Sequence, residues 1–209
     1  MAKGILLVAF DFTNAHEDEF HDWYDLEHIP ERQRVPGFGL CERWINVANS
    51  KQAVASYDLE SLAVLRSEPY LAIAHENLSV WSKRVGSMCK RLLRFDGEQT
   101  LPGNADSPGG AGGLLVNAMN VAAEYEAEFN EWYDNEHIPA LAAVPGVLSA
   151  RRFKDLSGTH RYLALYHLKT PEVTFGQDWK DAAASRWTER LRPHFRDHVR
   201  IPARRYVRG

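Results

Sequence analysis

The chain has 209 residues, 44% of them hydrophobic and 25% charged, with a formal net charge of −3. That balance is ordinary for a soluble globular protein and gives no electrostatic basis for binding nucleic acid or an anionic membrane. The two cysteines, Cys41 and Cys89, lie far apart without a CxxC, and no stretch approaches the roughly 20 apolar residues of a membrane span, so a reduced, cytoplasmic protein without a disulfide or zinc framework is expected.

Gly4 to Phe12 (GILLVAFDF) is an apolar run too short for a helix and reads as a buried first strand, not a signal peptide. Thr13-Asn14 offers an N-cap, and Glu17, Asp18 and Glu19 place negative charge in a first helical turn, where the helix dipole favours it. Phe20, Trp23, Tyr24 and Glu27 then fall at helical spacing, and Pro30 predicts that the regular helix ends near His28. Val35-Pro36-Gly37 is a turn with glycine at the position that needs a positive φ. Gly39–Val47 and Ala53–Ser61 read as a hairpin across Asn49-Ser50, Ser67 to about Met88 as a second helical region in two pieces, and Cys89–Phe95 as a fourth strand. The Gly- and Pro-rich residues 96–113 read as a linker.

The second half repeats the order, with strands at Leu114–Val121, Val147–Lys154 and Arg161–Lys169, helices over Glu124–His137 and after Thr170-Pro171, and a last strand near Arg204–Val207. The repeat is explicit in one stretch: EFHDWYDLEHIPERQRVPG (19–37) returns as EFNEWYDNEHIPALAAVPG (128–146), an offset of 109 with 12 of 19 positions identical. The fold class is therefore α+β, two tandem βαββαβ units of the ferredoxin-like arrangement over residues 1–95 and 114–209. Each unit has helices on one sheet face only, so the two sheets are expected to cover one another. That packing would close a barrel-like cavity suited to a small molecule within one chain, making a homo-oligomer allowed but not required.

The retained ionisable residues are the candidates for chemistry. On a helix Asp25 lies three residues before His28, so an Asp25–His28 pair, repeated as Asp134–His137, could orient an imidazole for general acid or base work. A histidine that merely caps the helix end explains one copy equally well. Arg43/Arg152 and Tyr57/Tyr166 recur on strands and could hold or polarise a substrate oxygen; Arg43 could equally pair with a helix carboxylate. Tyr24/Tyr133 and Trp23/Trp132 lie on the same helical face and could line the pocket, although tryptophan there is more commonly core. His194 and His198 lack a third ligand, and no metal site, P-loop, nucleotide fingerprint or nucleophile triad is present. Glu31-Arg32-Gln33-Arg34 becomes Ala140-Leu141-Ala142-Ala143 in the second copy, and Val8 and Asp11 become Asn117 and Asn120. Arg32 and Arg34 could attract an anionic substrate, so the first half is the expected working site.

The pattern EF-x2-WY-x2-EHIP followed by VPG and a strand resembles the EthD-like branch of the dimeric α/β-barrel superfamily, here as a fused pair. The resemblance covers each half in outline, with its specific motif confined to the 19-residue stretch, and it places His28 and His137 at the family's helix-end histidine. It implies a small hydrophobic, oxygenated substrate. The expectation is a cofactor-independent enzyme of the dehydratase, cyclase, isomerase or lyase type. A cofactor-free monooxygenase, a haem-binding protein and a non-catalytic binding or accessory protein are the alternatives.

Overall fold

Short apolar runs with period-two alternation make the strands, and the polar, capped stretches between them make the helices. In a computed structural model, which describes residues 2–155 and 157–208, the first half contains β1 (Gly4–Asp11), α1 (Glu17–Asp22), a π-helical stretch over Trp23–His28, α2 (Ile29–Gln33), β2 (Phe38–Asn46), β3 (Gln52–Leu59), α3 (Glu68–Leu71), α4 (Val80–Met88) and β4 (Lys90–Leu101). The second half contains β5 (Gly113–Val121), α5 (Glu126–Trp132), a π-helical stretch over Tyr133–His137, α6 (Ile138–Ala142), β6 (Val147–Lys154), β7 (Tyr162–Leu168), α7 (Gln177–Ala183), α8 (Arg186–Leu191) and β8 (Phe195–Arg205).

The first helix departs from expectation at Pro30. It does not end near His28; it widens, so that the Ile29 N–H reaches the Tyr24 carbonyl five residues back, and then resumes as α2. Proline removes one donor from the ladder, and a π turn ahead of it lets the chain pass that gap without breaking. The same device precedes Pro139. His16, not Thr13 or Asn14, occupies the N-cap position of α1. Gly37 and Gly146 take φ of 92° and 94°, as the Pro-Gly turns require.

The strands close a barrel in the order β1-β3-β2-β8-β5-β7-β6-β4. Within the first four strands the order is β4-β1-β3-β2, and within the last four β6-β7-β5-β8. The seams between these sets are β2–β8, with Trp44 opposite Arg205, and β4–β6, with Glu98 opposite Lys154. Two strand ends therefore differ from the sequence reading. β4 runs six residues into the expected linker, where pairing with β6 holds it, and β8 begins at Phe195, nine residues before the predicted strand.

Alternation decides which side chains enter the barrel. Ile5, Leu7 and Ala9 of β1 point inward with Trp44, Phe95, Phe153 and Leu165, and these fill the interior. The cavity expected between the sheets is thus a packed core. The inward alternation also brings together a polar cluster that includes the residues around Ser107. Arg151, 1% exposed, donates to Asp58 across the barrel at 3.0 Å, and the Ser107 N–H caps the same carboxylate at 2.7 Å. Part of the expected linker is therefore fastened down. The outward faces carry the helices in two separate apolar layers, Leu6, Phe20, Trp23 and Tyr57 in one and Leu115, Phe129, Trp132 and Tyr166 in the other. The cavities lined by the candidate histidines lie in those outer layers. Among the described residues no helix is long and apolar enough to cross a membrane.

Candidate functional site

The residues shared by the two copies build a clamp on each side of the barrel. Arg43 on β2 donates to Asp25 at 2.6 Å, meets His21 Nδ1 at 2.7 Å and lies over the Tyr24 ring at 4.4 Å. Arg152 on β6 does the same with Asp134 at 2.7 Å, Asn130 at 2.6 Å and the Tyr133 ring at 4.5 Å. The predicted Asp25–His28 and Asp134–His137 pairs are therefore not formed: each aspartate tethers the strand arginine, and no hydrogen bond joins it to the histidine. A guanidinium offers several donors in a fixed fork, and on this sheet face it outcompetes a single imidazole for the carboxylate. Arg43 and Arg152 are correspondingly buried in ion pairs.

Glu27 and Glu136, which point away from the histidines, fasten the other helix. Ser79 is the N-cap of α4 and donates to Glu27 at 2.6 Å, while Ser82 donates to the same oxygen at 2.9 Å and accepts from Trp23 Nε1 at 2.9 Å. Ser185, the N-cap of α8, donates to Glu136 and lies 3.0 Å from the Thr188 hydroxyl, which accepts from Trp132 Nε1 at 3.2 Å. Trp23 and Trp132 are thus core residues with their one polar atom satisfied.

With Asp, Glu, Arg and Trp assigned to scaffold, the histidines and strand tyrosines remain. His28 and Tyr57 line a cavity of about 220 Å³ between the first-half sheet and its helices, together with Trp23, Tyr24, Arg32 and Arg94. Although His28 is partly exposed as a whole, its Nδ1 is buried and has no partner, and the Tyr57 hydroxyl is likewise buried and unpaired. Burial holds the His28 imidazole well below its ordinary range, with Arg32 and Arg43 adding to the effect. Arg32 is buried, bonded to Glu31 at 2.7 Å and to the Ile73 carbonyl at 3.3 Å. Arg34 is exposed and does not line this cavity, so the expected pair of cations at a substrate mouth reduces to one, already partnered.

His137 and Tyr166 line a cavity of about 390 Å³ in the second half, with Tyr133, Trp132 and Trp179 around them and Asn117, His198 and Arg200 along the sheet. Burial, reinforced by Arg152, holds His137 at about 4, so its imidazole is neutral at pH 7. Burial pushes the Tyr166 phenol well above its usual range, and its hydroxyl keeps its proton and finds no partner. Asn117 donates to the Tyr133 hydroxyl at 3.4 Å and accepts at 2.6 Å from His198 Nε2. The sequence reading missed His198 and Arg200 as cavity residues because it started the last strand too late. Val199, Ile201 and Ala203 alternate with His198, Arg200 and Pro202, and that period is the signal that would have found them. Among the described residues no group of three or more His, Cys, Asp or Glu side chains is placed to hold a metal ion.

A family model described as a domain of unknown function (DUF4286) matches residues 115–204. No curated protein matches the sequence. Among solved structures, the chain is similar to a candidate chlorite dismutase, TA0507, with a TM-score of 0.67 and 8% identity over 99% of this chain and 96% of that one. It is also similar to a variant of the chlorite dismutase of Candidatus Nitrospira defluvii, with a TM-score of 0.65 and 13% identity over 99% and 93%. A haem-binding protein of Thermus thermophilus gives 0.60 and 11% over 99% and 92%. At these identities the likeness is one of fold alone.

Proposed function

We propose that the chain is a fused pair of ferredoxin-like units of the EthD-like kind, the first ending at Leu101 where β4 ends, and that the second-half cavity is its working site. There it acts as a cofactor-independent acid–base enzyme, of the dehydratase, cyclase, isomerase or lyase type, on a small hydrophobic molecule bearing oxygen. The observation that carries this reading is a neutral imidazole and an unpaired, protonated phenol lining one 390 Å³ space. That volume lies in the range of small-ligand sites, whereas the 220 Å³ first-half cavity falls below the lower bound of about 300 Å³.

In this reading His137 accepts the proton. A base held near 4 is weak in the empty site, but negative charge developing on the ligand beside it raises its affinity for the proton. Tyr166 donates to the ligand oxygen on which that charge develops, with no bond of its own to break first. Asp134 acts at one remove, by holding Arg152 and so the strand against the helix.

Haem, named for the Thermus protein, does not fit as the group for this site. A macrocycle with its propionates exceeds a 390 Å³ space whose walls are the buried side chains of Trp132, Tyr133 and Tyr166. The test combines native mass spectrometry, to identify a co-purifying ligand, with turnover by His137→Ala and His28→Ala. General acid–base help is worth about 10² to 10⁴ in rate, so His137→Ala is expected to lose about that much while His28→Ala keeps nearly all. A ligand retained but never converted would make the protein a binding module, and a Soret band in the purified protein would restore haem.

A further inference from the structure

The two sheets place an arginine at the same point of each outer layer and treat it differently. Arg94 lies opposite Val8 in the β1–β4 register, and Arg200 lies opposite Asn117 in the β5–β8 register; Val8 and Asn117 are themselves 109 residues apart. Arg94 is neutralised: it donates to Asp96 at 2.9 Å. Among the described residues no carboxylate pairs with Arg200. Its guanidinium reaches the Thr174 carbonyl at 3.5 Å, the outer limit for a hydrogen bond, which leaves most of its five N–H donors to solvent or a ligand. Among the described residues no Asp or Glu lines the second-half cavity, and Arg192 stands at the same wall. Arg200 is exposed at the edge of the cavity, whereas at Arg94 Asp96 and Tyr70 more than offset burial.

Beside Arg200, Asn117 has its carbonyl oxygen taken by His198 and its amide held only by the 3.4 Å contact to Tyr133. The strand pairing therefore sets a free guanidinium next to a loosely engaged amide N–H, on the open side of an apolar cavity. We infer that the ligand of this cavity is a carboxylic acid with an apolar body, its carboxylate seated on Arg200 and the Asn117 amide, its body against Trp132, Trp179 and Met119. This rests on the second-half cavity being the ligand site. The first-half cavity pairs its Arg94 with Asp96 and sets Val8 opposite it, and its other strand arginine, Arg91, lies opposite Phe10, so neither guanidinium there stands opposite an amide.

The test titrates the intact protein with 2-naphthoate and with its neutral counterpart 2-naphthamide by calorimetry. Charge-assisted hydrogen bonds are roughly twice as strong as neutral ones, so the wild type is expected to bind the carboxylate about tenfold or more tightly than the amide. Arg200→Gln should erase that preference, Arg200→Lys should retain part of it, and Arg94→Gln should keep it whole. Equal binding of the two probes by the wild type, or a preference that persists in Arg200→Gln, overturns the inference while leaving the cavity a ligand site. If neither probe binds at millimolar concentration, both the carboxylate seat and the cavity reading fall.

Discussion

The two outer layers of the barrel share a frame and differ in what it encloses. Both use an arginine on the second strand of the half to hold an aspartate of the first helix, and both use a glutamate to hold the N-cap serine of a later helix. Both suspend a neutral histidine from a π-helical stretch. The enclosed spaces are not alike: 220 Å³ with Arg32 and Arg94 partnered on one side, 390 Å³ with asparagine, histidine and an arginine free of any carboxylate on the other. The Asp, Glu and Arg residues identical between the copies therefore serve as scaffold. A charged residue kept in both halves need not be chemical, because an ion pair that fastens helix to strand constrains sequence as tightly as a reaction does.

The largest effect that separates frame from site is in acid. His137 folds with its protonation held at about 4 against an unfolded value near 6.5, so between those values the unfolded chain binds more protons. Stability from this residue is complete above about 6.5 and is lost as the pH falls towards 4. At about 1.36 kcal/mol per pH unit the window is worth about 3 kcal/mol. Replacing His137 by Asn should flatten the acid limb of a urea-denaturation series by about that amount, and His28→Asn should flatten it in the same direction. If the limb is unchanged in His137→Asn, the imidazole is charged in the folded state and cannot be the neutral base.

Next in size are the glutamate clamps. Hydrogen bonds to a charged group are worth about 1.5–3 kcal/mol, so Glu27→Ala and Glu136→Ala should each cost about 2 kcal/mol in denaturant unfolding. The two losses should be nearly equal. A loss of turnover in Glu136→Ala that exceeds its loss of folded protein would move Glu136 from frame to site.

Much of this was legible in the sequence. The eight strands, their order along the chain and the positive φ of Gly37 follow from alternation and turn chemistry, which are local properties. The ends of β4 and β8 were not, because Glu98–Leu101 is held as strand by β6 of the other half and Phe195–Ala203 by β5, more than 70 residues back in the chain. The Asp–His pairing failed for a related reason. Helical spacing shows which side chains are neighbours on one helix, but Arg43 reaches Asp25 from a strand 18 residues away and takes the carboxylate. The cavity was sought between the sheets because their inner faces were read as uncovered surfaces, whereas Trp44, Phe95 and Phe153 are large enough to fill that space.

The smallest expected effect tests the difference between two neighbouring arginines that the sequence treats alike. Arg34 is exposed at the end of the first helix and lines neither histidine cavity, so Arg34→Ala should change stability by no more than about 0.5 kcal/mol and leave turnover as it was. Arg32 has the opposite setting: 4% exposed, tied to Glu31 and to the Ile73 carbonyl, with its charge adding to the depression of His28. Its removal leaves Glu31 without its ion-pair partner and opens space beside His28, so Arg32→Ala should unfold at clearly lower denaturant. Because the first-half cavity is read as closed frame, that variant should lose stability without a matching loss of turnover per folded molecule. A fall in turnover for Arg34→Ala, with the melting curve unmoved, would bring back the charged mouth of the first half as the place where substrate enters.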